Sequence, residues 1–184
     1  MMNSGYEQIK DDSLNPTLNM INSVQEKGIG NKTDTRYDML TYSTAKEYIK
    51  NNKPRIVVIG LGETDDYAHQ KRYDLYLQQA NQVDKMIGEL WNMVQTTPGY
   101  KNNTSFIITT DHGRGNSSKH WSGHGFFISG SFQTWLAMMG PHIDPLGERK
   151  EKEQYYTKQF AATIAKLTGE EFSPTIAEAY ASKK

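Results

Sequence analysis

Two short apolar runs constrain this chain more than any other feature, because both lead into the same kind of chemistry. Ile56-Val57-Val58-Ile59-Gly60-Leu61-Gly62 is β-branched, bounded by Pro54 and by glycine, and continues into Glu63-Thr64-Asp65-Asp66-Tyr67-Ala68-His69. Thr104-Ser105-Phe106-Ile107-Ile108-Thr109-Thr110 continues into Asp111-His112-Gly113. Runs of this length with this composition read as buried strands of a sheet covered on both faces. Between them Tyr73, Tyr76, Ala80, Val83, Ile87, Leu90 and Val94 recur at spacings of three and four, which predicts a helix over 72–95, stopped by Thr97-Pro98-Gly99. Strand, long helix, strand is a βαβ unit with parallel neighbours and a right-handed crossover. Sheets of this kind gather ligands beyond the carboxyl ends of their strands, where both Asp- and His-bearing segments fall.

The remainder of the chain is less patterned. Residues 1–41 are polar and read as a loosely ordered lead-in, with a short helical stripe over Leu14 to Val24 and a loop at Asn31-Lys32-Thr33-Asp34. A short helix is expected over Ser43 to Asn51, ended before Pro54. Gly113 to Gly125 reads as a polar, glycine-rich loop, followed by short strands at Phe126 to Ile128 and Thr134 to Met139. Residues 141–184 form a connection and a helix over Tyr155 to Leu167, with Phe160, Ile164 and Leu167 inward and Gly169 as C-cap.

Length and charge narrow the function classes. With 184 residues, one compact domain is expected. Lys+Arg and Asp+Glu both number 21 and no long basic block occurs, which argues against a nucleic-acid or anionic-membrane surface. No apolar run reaches the roughly 20 residues of a membrane span, and Met1-Met2-Asn3-Ser4-Gly5 lacks signal-peptide character. A soluble chain is expected. The absence of cysteine removes disulfides, thiolate catalysis and Cys-based zinc sites.

Histidine carries the remaining information, since four of the five, His69, His112, His120 and His124, lie in one segment. Carboxylate oxygen and imidazole nitrogen together suit a divalent metal of borderline softness. Asp65 and His69 have a spacing suited to one ion held by a loop entering a helix. Adjacent Asp111 and His112 point to opposite faces of an extended segment, so both reach one ion only if the chain turns, which Gly113 permits. His120 is the rival to His124 as a ligand, and the glycines flanking His124 favour the latter by permitting close approach. Asp66 either orients His69 or serves the helix start as a carboxylate. Trp121 and Trp135 read as packing residues, and His142 as structural or exposed.

The run from Ile59 to His69, followed by Tyr73 and Asp84, then Thr110-Asp111-His112-Gly113-Arg114-Gly115, then Trp121-Ser122-Gly123-His124-Gly125, resembles the alkaline phosphatase superfamily. Within it, the likeness is to the type I phosphodiesterase/nucleotide pyrophosphatase, sulfatase-like and cofactor-independent phosphoglycerate mutase branches, and to a Bacteroidetes-type group of exported proteins. The fold this implies is an α/β, three-layer αβα sandwich with a mostly parallel sheet, here truncated, with the metal-ligand core at 54–140. The resemblance implies two divalent metal ions, zinc foremost, with manganese, magnesium or calcium as alternatives. Asp65, His69 and His124 would hold one, and Asp111 and His112 would belong to the other. Arg114 and His120 would contact a phosphoryl or sulfuryl oxygen of a small-molecule ester. In such enzymes a further Asp at the end of an early strand and a Ser or Thr at a helix N-terminus complete the site. Nothing before Arg55 reads as that strand, and Thr17, after Asn15-Pro16, is a weak counterpart of the nucleophile. The expectation is therefore the C-terminal portion of a periplasmic or extracellular hydrolase, inactive alone and lacking the N-terminal half of its domain. A phosphoglycerate mutase-like phosphotransferase and a non-catalytic module stapled by metal are the alternatives.

Overall fold

A computed structural model describes residues 15–28 and 35–172. The loop expected at Asn31 to Asp34 and most of the polar lead-in lie outside them. The described residues fall into two compact units, one comprising 15–28, 35–93 and 112–133 and the other 94–111 and 134–172.

The first unit is built on helices. α1 (Pro16–Gly28) and α2 (Asp38–Asn52) pack against each other, burying Leu18, Ile21 and Gln25 from α1 and Tyr42, Ala45 and Ile49 from α2. Each set recurs at three or four residues, so each helix presents one stripe. Asn15 begins α1 by accepting the N–H of Leu18 at 2.9 Å, which supplies one partner for the unpaired first turn. The stripe read at 14–24 is thus a packed helix inside the stretch expected to be loose. α2 begins five residues earlier than the sequence reading and ends as Lys53 enters the left-handed region at φ 46°.

α3 (Glu63–His69) is a short helix, and α4 (Tyr73–Thr96) is the long helix expected over 72–95. Met86, Leu90 and Val94 are its buried positions, whereas Tyr73 and Ala80, read as inward, are exposed. Tyr42 donates its hydroxyl to Glu89, and Lys46 reaches the same carboxylate at 3.2 Å, tying α2 to α4.

One correction concerns the first apolar run. Residues 54–62 form no strand, and Ile56 and Val58 stand exposed, Val58 at 81%. β-branched composition favours extended backbone, but a strand exists only when a neighbour completes its hydrogen-bond ladder, and none does among the described residues.

The second unit holds the only sheet among the described residues, two strands running antiparallel. β1 (Phe106–Thr109) pairs with β2 (Leu136–Met139) in the register Phe106 with Met139 and Thr109 with Leu136. The parallel βαβ unit and the three-layer sandwich are therefore not formed by the described residues. The α/β character rests on helices with this one pair. Phe126 to Ile128, expected as a strand, lies in turns of the first unit, with Phe126 and Phe127 exposed and packed edge to face. A 3-10 turn at Thr157–Gln159 leads into α5 (Phe160–Thr168), which buries Ala162 and Thr163, while Phe160, Ile164 and Leu167 are half-buried. Gly169 closes α5 at φ 73°, the left-handed conformation expected of its C-cap. Among the described residues, no helix is long and apolar enough to cross a membrane.

Candidate metal centre

The centre lies in the first unit and is assembled from α3 and the loop 112–125. Asp65 and His69 stand one helical turn apart on α3, so their side chains meet on one face, with His69 Nε2 3.2 Å from Asp65 Oδ2. Their spacing made this pair legible from sequence.

The loop brings the other two histidines to that face through its own backbone bonds. The N–H of Gly113 donates to Ser131 O at 2.8 Å, that of Gly115 to Gly123 O at 3.0 Å, and that of Asn116 to Ser129 O at 3.2 Å. A Cβ on Gly113 would lie 2.2 Å from the carbonyl oxygens of Gly130 and Gln133, so close approach of the chain, more than turning, requires glycine there. The glycines flanking His124 meet no such crowding from backbone: a Cβ on Gly125 would make ordinary contact with the Ile128 side chain at 3.8 Å. Trp121 anchors the loop, its ring edge-on to Tyr73 at 5.1 Å and to Tyr76 at 6.0 Å on the first turns of α4. This is the packing role expected of it.

Around Asp65 the distances are short. His124 Nε2 lies 3.0 Å from His69 Nε2 and 3.6 Å from Asp65 Oδ1, and His112 Nε2 lies 3.7 Å from Asp65 Oδ1. The rings of His112 and His124 stack at 3.7 Å. Asp65, His112 and His124 offer ligand atoms all within 4.8 Å of one another, a group able to hold a metal ion. His69 adjoins the group through both Asp65 and His124. The geometry thus gathers His112 with Asp65 rather than setting it apart.

Residues 9–126, more than half of the chain, match the family model of the Metalloenzyme superfamily. The chain belongs to that superfamily. No curated protein and no solved structure matches it. The Metalloenzyme superfamily is part of the alkaline phosphatase-like fold, and the matched span contains all four clustered residues.

The donor set fits the metal that membership in the Metalloenzyme superfamily implies. Oxygen and nitrogen ligands stand about 2.0–2.2 Å from zinc, so neighbours on one tetrahedral ion are roughly 3.3–3.6 Å apart. The separations from 3.0 to 3.7 Å around Asp65 bracket that range. His112 Nδ1 is 3.0 Å from Gly113 O, a pure acceptor, so Nδ1 is the donor there and Nε2 is the atom turned toward Asp65. Burial, then His112, holds the pKa of His124 below 6.5, with His69 and Arg114 acting in the same direction against Asp65. His124 is consequently neutral and able to ligate at neutral pH.

The other expected site residues are placed differently. Arg114 is directed inward, donating to Asp65 Oδ1 and, at 3.3 Å, to Ser122 O. His120 is exposed on the loop with Nδ1 3.1 Å from Ser117 Oγ. Asp111 belongs to the second unit, where it follows β1 and is exposed. Asp66 accepts the Thr35 hydroxyl at 2.7 Å. Thr17 is exposed in the first turn of α1.

Asp38 and Glu63 escaped the sequence reading. Asp38 is 1% exposed and its carboxylate is bonded to the start of α3, while Glu63 accepts the N–H of Asp38 at 2.7 Å. No local pattern marks such a pair, since its members are 25 residues apart in the chain.

Proposed function

We propose that the chain supplies the metal-ligating part of an ester hydrolase of the alkaline phosphatase type, acting on a small-molecule phosphate mono- or diester or a sulfate ester. The observation that carries this reading is the meeting of Asp65, His112 and His124, with His69 beside them, inside a span matched by the Metalloenzyme superfamily. Zinc is the metal this donor set favours. Asp65, His112 and His124, with His69 beside them, would hold an ion. Bound divalent cations polarise the ester oxygens and lower the pKa of an attacking hydroxyl. The nucleophilic Ser or Thr and a further Asp come from a segment other than this chain, which is inactive by itself. The parent protein is exported to the periplasm or beyond the cell.

The chain's own residues prepare that chemistry. The Nδ1 bond of His112 to Gly113 O orients its ring, and the depressed pKa of His124 keeps it unprotonated. Arg114 neutralises Asp65 and sits where an ester oxygen approaching the ligands meets positive charge. His120, exposed on the loop, is the second group available to such an oxygen. The loop is tied down by its own backbone bonds and by the Trp121 contacts.

The test is hydrolysis of p-nitrophenyl phosphate, bis-p-nitrophenyl phosphate and p-nitrophenyl sulfate by the protein purified from its native source. One of the three is expected to turn over in zinc, to stop in chelator, and to be lost in Asp65→Ala and His124→Ala. Turnover indifferent to chelator and to both substitutions overturns the reading.

A further inference from the structure

The metal-bearing helix is only seven residues long, too short to hold itself, since isolated helices below ~12–15 residues are marginal in water. Its first N–H groups need partners, and the preceding residue, Gly62, supplies no side chain. Those partners come from Asp38, at the first position of α2. Asp38 Oδ1 accepts the N–H of Gly62 at 2.8 Å and of Glu63 at 3.2 Å. Asp38 Oδ2 accepts Gln79 Nε2 of α4 at 2.7 Å. Glu63 returns the favour to α2, its Oε2 accepting the Asp38 N–H at 2.7 Å, so each helix start is capped by the other's first side chain. Both carboxylates are buried, Asp38 at 1% and Glu63 at 7% exposure, and buried acceptors of this kind hold their donors firmly because water cannot replace them.

We propose that Asp38 is a positioning residue for the metal centre: by gripping the start of α3 and bonding α4 through Gln79, it sets where Asp65 and His69 stand relative to His112 and His124. This rests on the reading of those four residues as metal ligands. Less than two turns of helix separate the cap from either ligand, Asp65 lying two residues and His69 six residues beyond Glu63, so a shift at the cap is carried to the ligand atoms. Ligand separations of 3.0–3.7 Å leave little room for such a shift.

Zinc affinity of the full chain, measured by competition with a chromogenic chelator, tests this together with the visible absorption of the cobalt-substituted protein and amide hydrogen exchange over 62–70. Asp38→Ala is expected to weaken zinc at least tenfold, to alter the cobalt band, and to lose protection over 62–70. Asp38→Asn keeps a carbonyl acceptor for Gly62 and Glu63, with Gln79 able to turn its amide, and is expected to restore affinity to within about threefold. Gln79→Ala, a milder change, is expected to fall between them. Affinity and cobalt spectrum unchanged in Asp38→Ala overturn the proposal. So does equal damage in the Ala and Asn variants, which marks a role in folding at large. If the unsubstituted chain binds no zinc, the metal reading fails, and hydrogen exchange still decides Asp38: protection over 62–70 equal in all variants overturns its grip on α3.

Discussion

The two apolar runs, both rich in β-branched residues, meet different fates. Phe106–Thr109 is a strand because Leu136–Met139 lies beside it in register, Ile107 opposite Met138 and Ile108 opposite Ala137. Ile56 to Gly62 has no partner strand among the described residues and leaves Val58 81% exposed. Yet the chemistry at its end is in place, because α3 is held by side-chain caps and not by a sheet. β-propensity describes how a residue fits a pleated, paired surface, whereas a capped helix turn carries its own hydrogen bonds.

The largest expected effect breaks the paired run. Gly140, at the end of β2, has φ 145°, and a Cβ there would lie 2.6 Å from Ser105 Cα at the start of β1. Gly140→Ala is expected to cost about 2–4 kcal/mol in urea unfolding, combining a disfavoured backbone conformation with a clash against main chain. The next effect falls on the other run's product. His124→Ala removes the nitrogen that lies 3.0 Å from His69 Nε2 and 3.6 Å from Asp65 Oδ1 and is expected to weaken zinc about a hundredfold, read by calorimetric titration. Zinc affinity unchanged would separate His124 from the centre.

Legibility followed the range over which each feature is determined. α4 was readable because its stripe repeats along 24 residues, and the Asp65/His69 pair because four residues of helix suffice to join them. His124 is grouped with Asp65 by the family resemblance, whereas His112 is not, since loop bonds such as Gly115 to Gly123 and Gly113 to Ser131 settle where the loop brings it. The Ile56 to Gly62 strand and the turn at Phe126 were misread because residue type reports burial and pairing that only other segments provide. Asp38 left no signature, its partners lying on α3 and α4.

Smaller effects sharpen the contrast. Trp121→Ala removes two edge-on aromatic contacts and is expected to cost about 1–3 kcal/mol, with weakened zinc binding from a loosened loop. The pH dependence follows from His124. Its pKa is lowered from 6.5 in the folded chain, so between that lower value and 6.5 the unfolded chain binds more protons. The contribution of His124 to stability therefore rises with pH through this window and is complete above 6.5. Zinc binding should likewise persist below pH 6.5 before protons displace the ion. Metal-free urea unfolding from pH 5 to 7.5, compared with His124→Gln, isolates the slope: the difference between the two vanishes if the histidine is unperturbed.

The smallest effect is the sharpest test of the unpaired run. A valine in a covered strand resists replacement by lysine, because the ammonium must be buried or the strand displaced, and burying such a side chain is worth about 1.5–3 kcal/mol. At 81% exposure Val58 has almost none of that to lose, so Val58→Lys in this chain is expected to move stability by less than about 0.5 kcal/mol. The same substitution in the protein purified from its native source gives a different answer if a neighbouring strand covers the run there: the loss should then reach the covered-strand range. Equal tolerance in both forms would mean that the run stays unpaired and that α3 needs no sheet to hold it. A large loss in this chain would instead place Val58 in a contact that its exposure denies.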